Sequence, residues 1–383
     1  MTTGVVSLSS DLVRKKWMRE GLIQAASKSF WSPLTGGSKD SVVYQENNIS
    51  AGDGHTVVFD YDGNLSGKAI KGKTTAAGKG EGKRKFSNKI TVERYRLVAD
   101  NGDIFDGVNI GDLSIPQHAD SRAKLGDLWV RFKDQAHFDA AQGNYVTNAG
   151  GAQSPSHVID LGTTFAFNSL LDIEKTLRTS TGFGTGSMRR PLDPVQLDDN
   201  EPMWIFVIDS TMANMLRKDT SGFQTIMNGS DVRGSQNRNI RGVIGRLGAL
   251  LIVEAGQFFG ATSGTTTGWT LDASEIEIAG LRQYDGAAPA SALWTGQTGF
   301  NFASANLHSR GLLLGKGALQ FAMGKQPDYK FQTSQDFSIT SESALECWME
   351  VQKTKLTAEN QAYKQAKVES IDYGIIAVDV EVQ

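Results

Sequence analysis

Residues 78–83 read Gly-Lys-Gly-Glu-Gly-Lys, a composition that occurs in loops that bind phosphate groups. A Walker loop requires a glycine, four further residues, Gly-Lys and then Ser or Thr, after a buried strand. Here Ala77 stands where the first glycine is needed, and Arg84 stands where the hydroxyl residue is needed. Residues 311–317 fail the same test. The sequence therefore does not predict a nucleotide-phosphate site.

The histidines are not spaced as metal ligands. His55, His118, His137, His157 and His308 never form an HExxH motif or another spacing typical of metal sites. We expect each of them on the surface or hydrogen-bonded in the core.

Neither a calcium loop nor a catalytic nucleophile is indicated. Asp60, Asp62 and Gly63 begin like a calcium-binding loop, but the rest of an EF-hand is missing. No G-x-S-x-G elbow is present. The single cysteine, Cys347, excludes an intramolecular disulfide and is expected on the apolar face of a packed segment. We therefore expect no enzyme, and no catalytic, cofactor-binding or metal-binding residue.

A long basic hairpin is predicted at residues 54–99. Residues 55–61 and 85–99 are rich in β-branched and aromatic side chains, which favours two strands, and the connection between them consists largely of Gly and Lys. Arms of about 15 to 20 residues would reach on the order of 50 Å. The radius of gyration expected for the whole chain is only about 21 Å. The hairpin is therefore expected to project beyond its own domain and to need an external surface.

The charge of this hairpin suggests what that surface is. The whole chain carries a formal net charge of -3, whereas the span from 68 to 89 contains one acid, Glu81. Docking on an acidic surface of an identical neighbour suits this contrast. The expected contact residues are Lys68, Lys71, Lys73, Lys79, Lys83, Arg84 and Lys85. A solvated disordered loop and a nucleic-acid clamp are the alternatives, although the tip lacks the aromatic residues on which bases stack.

An amphipathic helix is predicted at residues 115–143. Ser114 can cap it, Pro116 suits its first turn, Gln117 has capping-box spacing, and Gly143 is a suitable stop. At 1.5 Å per residue the helix would be about 40 Å long, the span of a domain. Apolar residues recur at intervals of three and four, and they are Leu125, Leu128, Trp129, Phe132 and Ala136.

The N-terminal residues are predicted to form an arm. Residues 11–23 favour a short basic helix, and residues 42–44 favour a strand. Trp17, Phe30 and Trp31 are aromatic residues in this arm, which we expect to dock either on the same chain or on a neighbour.

Further elements follow from apolar runs and caps. A helix capped by Asn168 is expected to residue 178, and a helix after Asp209 and Ser210 is expected to Lys218. Residues 203–208 and 249–253 predict buried strands of a small α/β lobe. Residues 311–324 predict a helix, and the end of the chain alternates as a strand.

Length and composition limit the classes of protein to which this chain can belong. The chain has 383 residues, of which 39% are hydrophobic, so it can bury a core and is expected to divide into two or three lobes. No run of about 18 apolar residues and no signal peptide is present. We expect a protein that is soluble and intracellular at synthesis.

The order of motifs resembles the major capsid proteins of tailed bacteriophages, specifically the N4-like podophage group. The residues that carry the resemblance are 52–59, 65–67, 71–72 and 89–97 around the hairpin, Ala123, Leu128, Trp129 and 134–138 in the helix, and 189–192, 203–208, 310–315, Ala318 and 371–374 beyond it. The likeness spans most of the chain.

The resemblance implies the α+β fold of tailed-phage and herpesvirus capsid proteins. The implied parts are an N-terminal arm (1–50), an extended loop (51–100), a peripheral domain (101–200) with a spine helix at 115–143, an axial domain (201–310) with an insertion at about 255–307, and a return through 311–383 to the core and a C-terminal strand. Nothing identifies a crosslinking Lys and Asn pair. No scaffolding segment precedes the arm, which suggests a separate scaffolding protein.

The implied function is structural. The chain is expected to assemble with itself into hexamers and pentamers of an icosahedral head around double-stranded DNA. Expected partners are a scaffolding protein, a portal and a decoration protein, without a membrane. The expected location is the virion, after assembly in the host cytoplasm. The alternatives are a nucleic-acid-binding protein that uses the basic hairpin, and a tail or decoration component.

Overall fold

The computed structural model describes residues 29–46, 56–62, 69–80, 85–103, 114–142, 157–179, 192–196, 202–219, 243–255, 261–262, 307–333, 340–356 and 371–382. Its helices are α1 (Ser114–Gln142), α2 (Phe167–Thr179) and α3 (Ser210–Lys218), with a 3-10 turn at Ser32–Leu34. Its strands are β1 (Thr35–Gly36), β2 (Val43–Glu46), β3 (Thr56–Asp62), β4 (Lys85–Thr91), β5 (Glu93–Asp103), β6 (Val158–Asp160), β7 (Val195–Gln196), β8 (Pro202–Ile208), β9 (Val243–Leu247), β10 (Leu250–Glu254), β11 (Ala261–Thr262), β12 (Leu307–Leu314), β13 (Leu319–Thr333), β14 (Thr340–Lys353), β15 (Lys355–Leu356), β16 (Ile371–Asp372) and β17 (Ile375–Val382).

A five-stranded sheet lies against the long helix α1. Its strand order is β1-β2-β13-β14-β5, and β13 and β14 form a long antiparallel hairpin. Leu125, Trp129 and Phe132 of α1 are buried in one core with Leu345 and Cys347 of β14. Burying each large apolar side chain contributes about 1.5–3 kcal/mol, so packing on this sheet stabilises the helix far more than helix propensity does. The predicted helix is confirmed, and its bounds agree within one residue. The prediction that Cys347 lies in a packed apolar segment is also confirmed.

The second large sheet has eight strands. Its main order is β6-β17-β12-β8-β10-β9, and β8 and β10 run parallel at its centre. Alternate residues of β8 enter two different cores: Ile205 and Val207 join the core of α1, and Phe206 and Ile208 join the core of α2 and α3. Burial on both faces explains why the strand is a continuous apolar run, as predicted.

Helices α2 and α3, which pack on this sheet, are capped in different ways at their N-termini. The helix predicted after Asp209 and Ser210 is α3. Asp209 caps it, and its Oδ1 accepts a hydrogen bond from the Met212 backbone N–H at 2.8 Å. Burial raises the pKa of Asp209 to about 6. The predicted Asn168 cap of α2 is wrong, because the helix begins at Phe167, whose N–H donates to Asp219 Oδ2 at 2.9 Å. A tertiary contact replaces the local cap.

The helix predicted at residues 311–324 is also wrong. These residues belong to β12 and β13, which meet at a turn in which Gly317 has φ 63°. β12 pairs with β17 on one side and with β8 on the other, so its apolar run is a central strand. An apolar run of this length does not distinguish a buried strand from a buried helix.

The basic hairpin is shorter in its paired part than predicted. The predicted returning strand at 85–99 is two strands: β4 pairs with β3, and β5 pairs with β14 in the five-stranded sheet. Seven residue pairs join β3 and β4, from Thr56 with Thr91 to Asp62 with Lys85. A strand of seven residues is about 23 Å long, which is less than half of the reach expected for the arms. Between β4 and β5 the chain passes from the hairpin to the five-stranded sheet at Val92, which is buried.

Arg310 joins the end of α1 to the eight-stranded sheet. Its guanidinium is buried and binds Asp379 of β17 through two hydrogen bonds of 2.6 and 2.7 Å. A third N–H, on Nη1, donates to the backbone carbonyl of Gln142, the last residue of α1, at 2.8 Å. One side chain thus satisfies a helix-end carbonyl and a buried carboxylate, which fixes the helix relative to the sheet.

We predict that Gly311→Ala destabilises the isolated subunit. A Cβ at this position would lie 2.7 Å from Phe206 Cε2 and 3.3 Å from Met212 Cε in the core. Overpacking of this kind costs about 1–3 kcal/mol. Urea unfolding measures the change, and Gly80→Ala is the control because a Cβ there meets nothing within 4 Å. Equal stability of the Gly311→Ala variant and the parent chain would contradict the close packing of β12 on Phe206 and Met212.

We predict that Arg310→Leu costs about 3–5 kcal/mol of unfolding free energy, because it leaves the Asp379 carboxylate buried without its partner. Arg178→Leu is the matched control: Arg178 pairs with Glu174 at 2.8 Å, but its side chain is 57% exposed. That loss is expected to be at most about 1 kcal/mol. Similar losses for both variants in urea unfolding would contradict the role given to Arg310.

Candidate assembly surfaces

The loop at residues 69–80 is exposed along its whole described length. It carries Lys71, Lys73 and Lys79 and no acid, and Ile70 is 40% exposed. Two turns shape it, at Gly72 and Gly78, whose φ angles are 70° and 79°. Glycine adopts this left-handed region without steric cost. The loop therefore presents lysines in a defined backbone shape to whatever lies beside the subunit.

The base of the hairpin is fixed to its own chain. Val57, Phe59 and Ile90 are buried in a small core with Ala322 of β13, and Trp348 of β14 packs against it. Asn88 Nδ2 also donates to Gln320 Oε1 at 2.6 Å. The prediction that the hairpin needs an external surface is therefore wrong for its base. The sequence did not reveal that one face of the hairpin would pack on the five-stranded sheet.

The predicted loop contacts fall into three groups. Lys71, Lys73 and Lys79 have described, exposed side chains. Lys85 begins β4, where it pairs with Asp62. Lys68, Lys83 and Arg84 lie outside the described residues.

The described part of the arm docks on α1 of the same chain. Trp31 is fully buried and stacks on His137 with ring centroids 5.7 Å apart. Phe30 lies 5.5 Å from the ring of Phe138. The arm and the apolar stripe of α1 thus share one core. Trp17 lies outside the described residues.

Asp134 holds the start of this docked segment. Its Oδ2 accepts a hydrogen bond from the Phe30 backbone N–H at 2.8 Å, and its Oδ1 accepts one from the Ser29 hydroxyl. Burial raises the pKa of Asp134, and these two donors oppose that rise. Sequence analysis assigned no contact to Asp134, so this interaction was missed. The i, i+3 and i+4 pattern alone gives no signal for it.

His137 is a buried, neutral histidine that hydrogen-bonds to the backbone. Burial lowers its pKa to about 3, with Lys133 as a further cause. Its Nδ1 lies 2.7 Å from the Lys133 backbone carbonyl, which only accepts, so Nδ1 carries the proton. The expectation of a hydrogen-bonded core histidine holds for His137.

The predicted core residues of α1 lie where the arm and the sheet meet the helix. Leu125, Trp129 and Phe132 are buried, and Leu128 is half-buried against the same core. Tyr95 of β5 contacts Phe132 with ring centroids 5.0 Å apart. The helix is therefore the element that holds both the arm and the sheet.

The described residues hold neither a metal-binding cluster nor a membrane-spanning helix. They contain no cluster of three or more His, Cys, Asp or Glu side chains arranged to bind a metal ion. Among the helices they contain, none has the length and apolar character needed to cross a membrane.

Comparison by sequence gives no relatives. No protein-family model matches the chain, and no curated protein matches it.

Solved structures of phage capsids resemble this chain over most or all of its length. The capsid of Ralstonia phage GP4 has a TM-score of 0.66 at 16% identity, over 100% of this chain and 99% of that one. The acidic stable capsid of Helicobacter pylori bacteriophage KHP30 has a TM-score of 0.64 at 15% identity, over 92% and 91%. The head of Helicobacter pylori bacteriophage KHP40 has a TM-score of 0.62 at 14% identity, over 100% and 95%. With its mixed sheets, long helix and basic hairpin, the chain has the major capsid fold of tailed phages.

Proposed function

We propose that this chain is the major structural subunit of a phage head. It assembles with itself into hexamers and pentamers, which close into an icosahedral shell around double-stranded DNA. The observation that carries the proposal is the likeness to a phage capsid chain over 100% of this chain and 99% of that one.

The charge and exposure of the loop support this proposal. The body anchors β3 and β4, and the twelve described residues 69–80 remain exposed with three lysines. An exposed basic loop on a chain of net charge -3 favours contact with an acidic surface of another copy. Interfaces of about 1,600 Å² repeated around each subunit make a stable shell even when each contact is reversible.

The proposal extends to partners and location. The subunit acts with a separate scaffolding protein, a portal and a decoration protein, and it contacts packaged DNA without sequence preference. It resides in the virion after assembly in the host cytoplasm and catalyses no reaction. The order of its motifs supports membership of the N4-like podophage group, and the domain limits are those given for the resemblance.

One observation favours a second function. Three exposed lysines in a loop without acids also suit a nucleic-acid-binding protein. In that case the monomer binds duplex DNA with an affinity that falls linearly with salt on a logarithmic scale. A tail or decoration component would instead form rings or tubes.

We predict that a chain without its loop folds but does not form stable shells. Because Asp62 pairs with Lys85, residues 63–84 can be replaced by Asn-Gly, the residues that favour a two-residue hairpin turn. Urea unfolding of this subunit is expected to match the parent within about 1 kcal/mol. Electron microscopy is expected to show no closed particles.

Gly80→Ala is the control for this experiment, since it changes the loop without shortening it and is expected to assemble normally. Normal shells from the shortened chain would overturn the role of the loop in assembly.

A further inference from the structure

Glu350 lies where the base of the hairpin joins the five-stranded sheet. The pairing of β5 with β14 ends at Glu93 and Met349, so Glu350 is the first residue of β14 beyond that pairing. The chain passes from β4 to β5 at the buried Val92, directly before Glu93. Across the sheet, Glu350 pairs with Ala322, which belongs to the small core of the hairpin base. A movement of the hairpin at Val92 would therefore change the surroundings of this carboxyl.

One hydrogen bond connects this carboxyl to the neighbouring strand and, through it, to the long helix. The Tyr95 hydroxyl donates to Glu350 Oε2 at 3.1 Å, and the Tyr95 ring contacts Phe132 of α1 with ring centroids 5.0 Å apart. Burial and the negative charge of Glu350 raise the pKa of Tyr95, so its hydroxyl keeps its proton at neutral pH. Tyr95 therefore links Glu350 to β5 and to α1.

The nearest acids add negative charge to this position. Glu93, which is exposed at the start of β5, raises the pKa of Glu350 by its charge. Glu46 of β2 pairs with Ala322, so it lies two strands from Glu350, at about 10 Å. Glu46 also accepts a hydrogen bond from the Tyr44 hydroxyl at 3.2 Å. Glu93 is therefore the acid that acts most directly on Glu350.

The cations of the adjoining strands are directed to other acids. Arg94 and Lys330 bind Glu346, and Arg96 stands opposite the same residue in register. Glu346 precedes Glu350 by four residues, which span about 13 Å of strand. Other described cations on β4, β13, β14 and β15 are Lys85, Lys89, Lys325, Lys353 and Lys355. Lys325 binds Asp328, Lys353 binds Asp372, and Lys89 is exposed opposite Val58 on the outer side of the hairpin.

The surroundings of Glu350 favour its protonated form. Burial, followed by the charge of Glu93, raises the pKa of Glu350 to about 7, and the Tyr95 hydroxyl and the Val351 backbone N–H oppose that rise. In an opened hairpin base the carboxyl would return to its ordinary pKa of 4.5. Because the packed state binds the proton more tightly, the packing is strongest at acidic pH and weakens as the pH rises through about 7.

We propose that Glu350 is a pH-sensitive switch that controls how firmly the base of the hairpin is held on the sheet. With its proton, Glu350 is accommodated next to Tyr95 and the hairpin core. Without it, the buried charge and its repulsion with Glu93 favour opening of the base. The basic loop leaves from this base, so the switch makes the direction of the loop sensitive to pH. The inference concerns the subunit itself and does not depend on the proposed function.

Hydrogen exchange of the full-length chain tests this switch. After correction for the intrinsic effect of pH on exchange, we expect the opening constant of amides in residues 85–95 to rise about tenfold between pH 6 and pH 8, as pKa values of about 7 and 4.5 require. Glu350→Gln has no proton to lose and is expected to remove this rise. Glu342→Gln is the matched control, because Glu342 is an exposed acid on the same strand, and it is expected to keep the rise.

Two results would overturn the inference: an opening constant of the parent chain that stays the same from pH 6 to pH 8, or a rise that survives in Glu350→Gln. If Glu350→Gln does not fold, Glu93→Gln and Tyr95→Phe decide the question. Loss of the Glu93 charge lowers the pKa of Glu350, so the rise levels off at a lower pH; loss of the Tyr95 donor raises that pKa, so the rise levels off at a higher pH. A rise that levels off at the parent pH in both variants would also overturn the inference.

Discussion

The apolar stripe of α1 packed against the five-stranded sheet is the constraint on which the other parts depend. Leu125, Trp129 and Phe132 share one core with strands of both sheets and with Trp31 of the arm. At the end of the same helix, Arg310 binds the last carbonyl and Asp379. The helix, the two sheets and the start of the arm are thereby held as one packed unit, and close-packed protein interiors deform little.

A rigid body of this kind determines where the basic loop and the arm leave it. The hairpin base packs on the sheet, so the basic loop leaves from a fixed place, and Asp134 fixes the place from which the arm leaves α1. A subunit that makes many modest contacts needs such fixed exit points, because linked contacts reinforce one another only where the geometry allows them to form at the same time. In the proposed shell, the packed core fixes where the loop and the arm leave the subunit, and the exposed loop contacts neighbouring subunits.

The sequence predicted the elements whose signal is local. The sequence of α1 has a long apolar period and is followed by Gly143, and β8 is an uninterrupted apolar run before Asp209. Where the signal is not local, prediction failed. Residues 311–324 are apolar enough for either a helix or a strand, and pairing with β8 and β17 decides the outcome. The contacts of Asp134 with Ser29 and of Arg310 with Asp379 join residues 105 and 69 positions apart, which no spacing rule reaches.

Electron microscopy of the chain, expressed alone and with its neighbouring genes, tests most directly whether this chain builds a closed shell. We expect capsomers or closed particles, in which the basic loop of one subunit lies on the next. A strict monomer under both conditions, with the loop free or bound to nucleic acid, would contradict it.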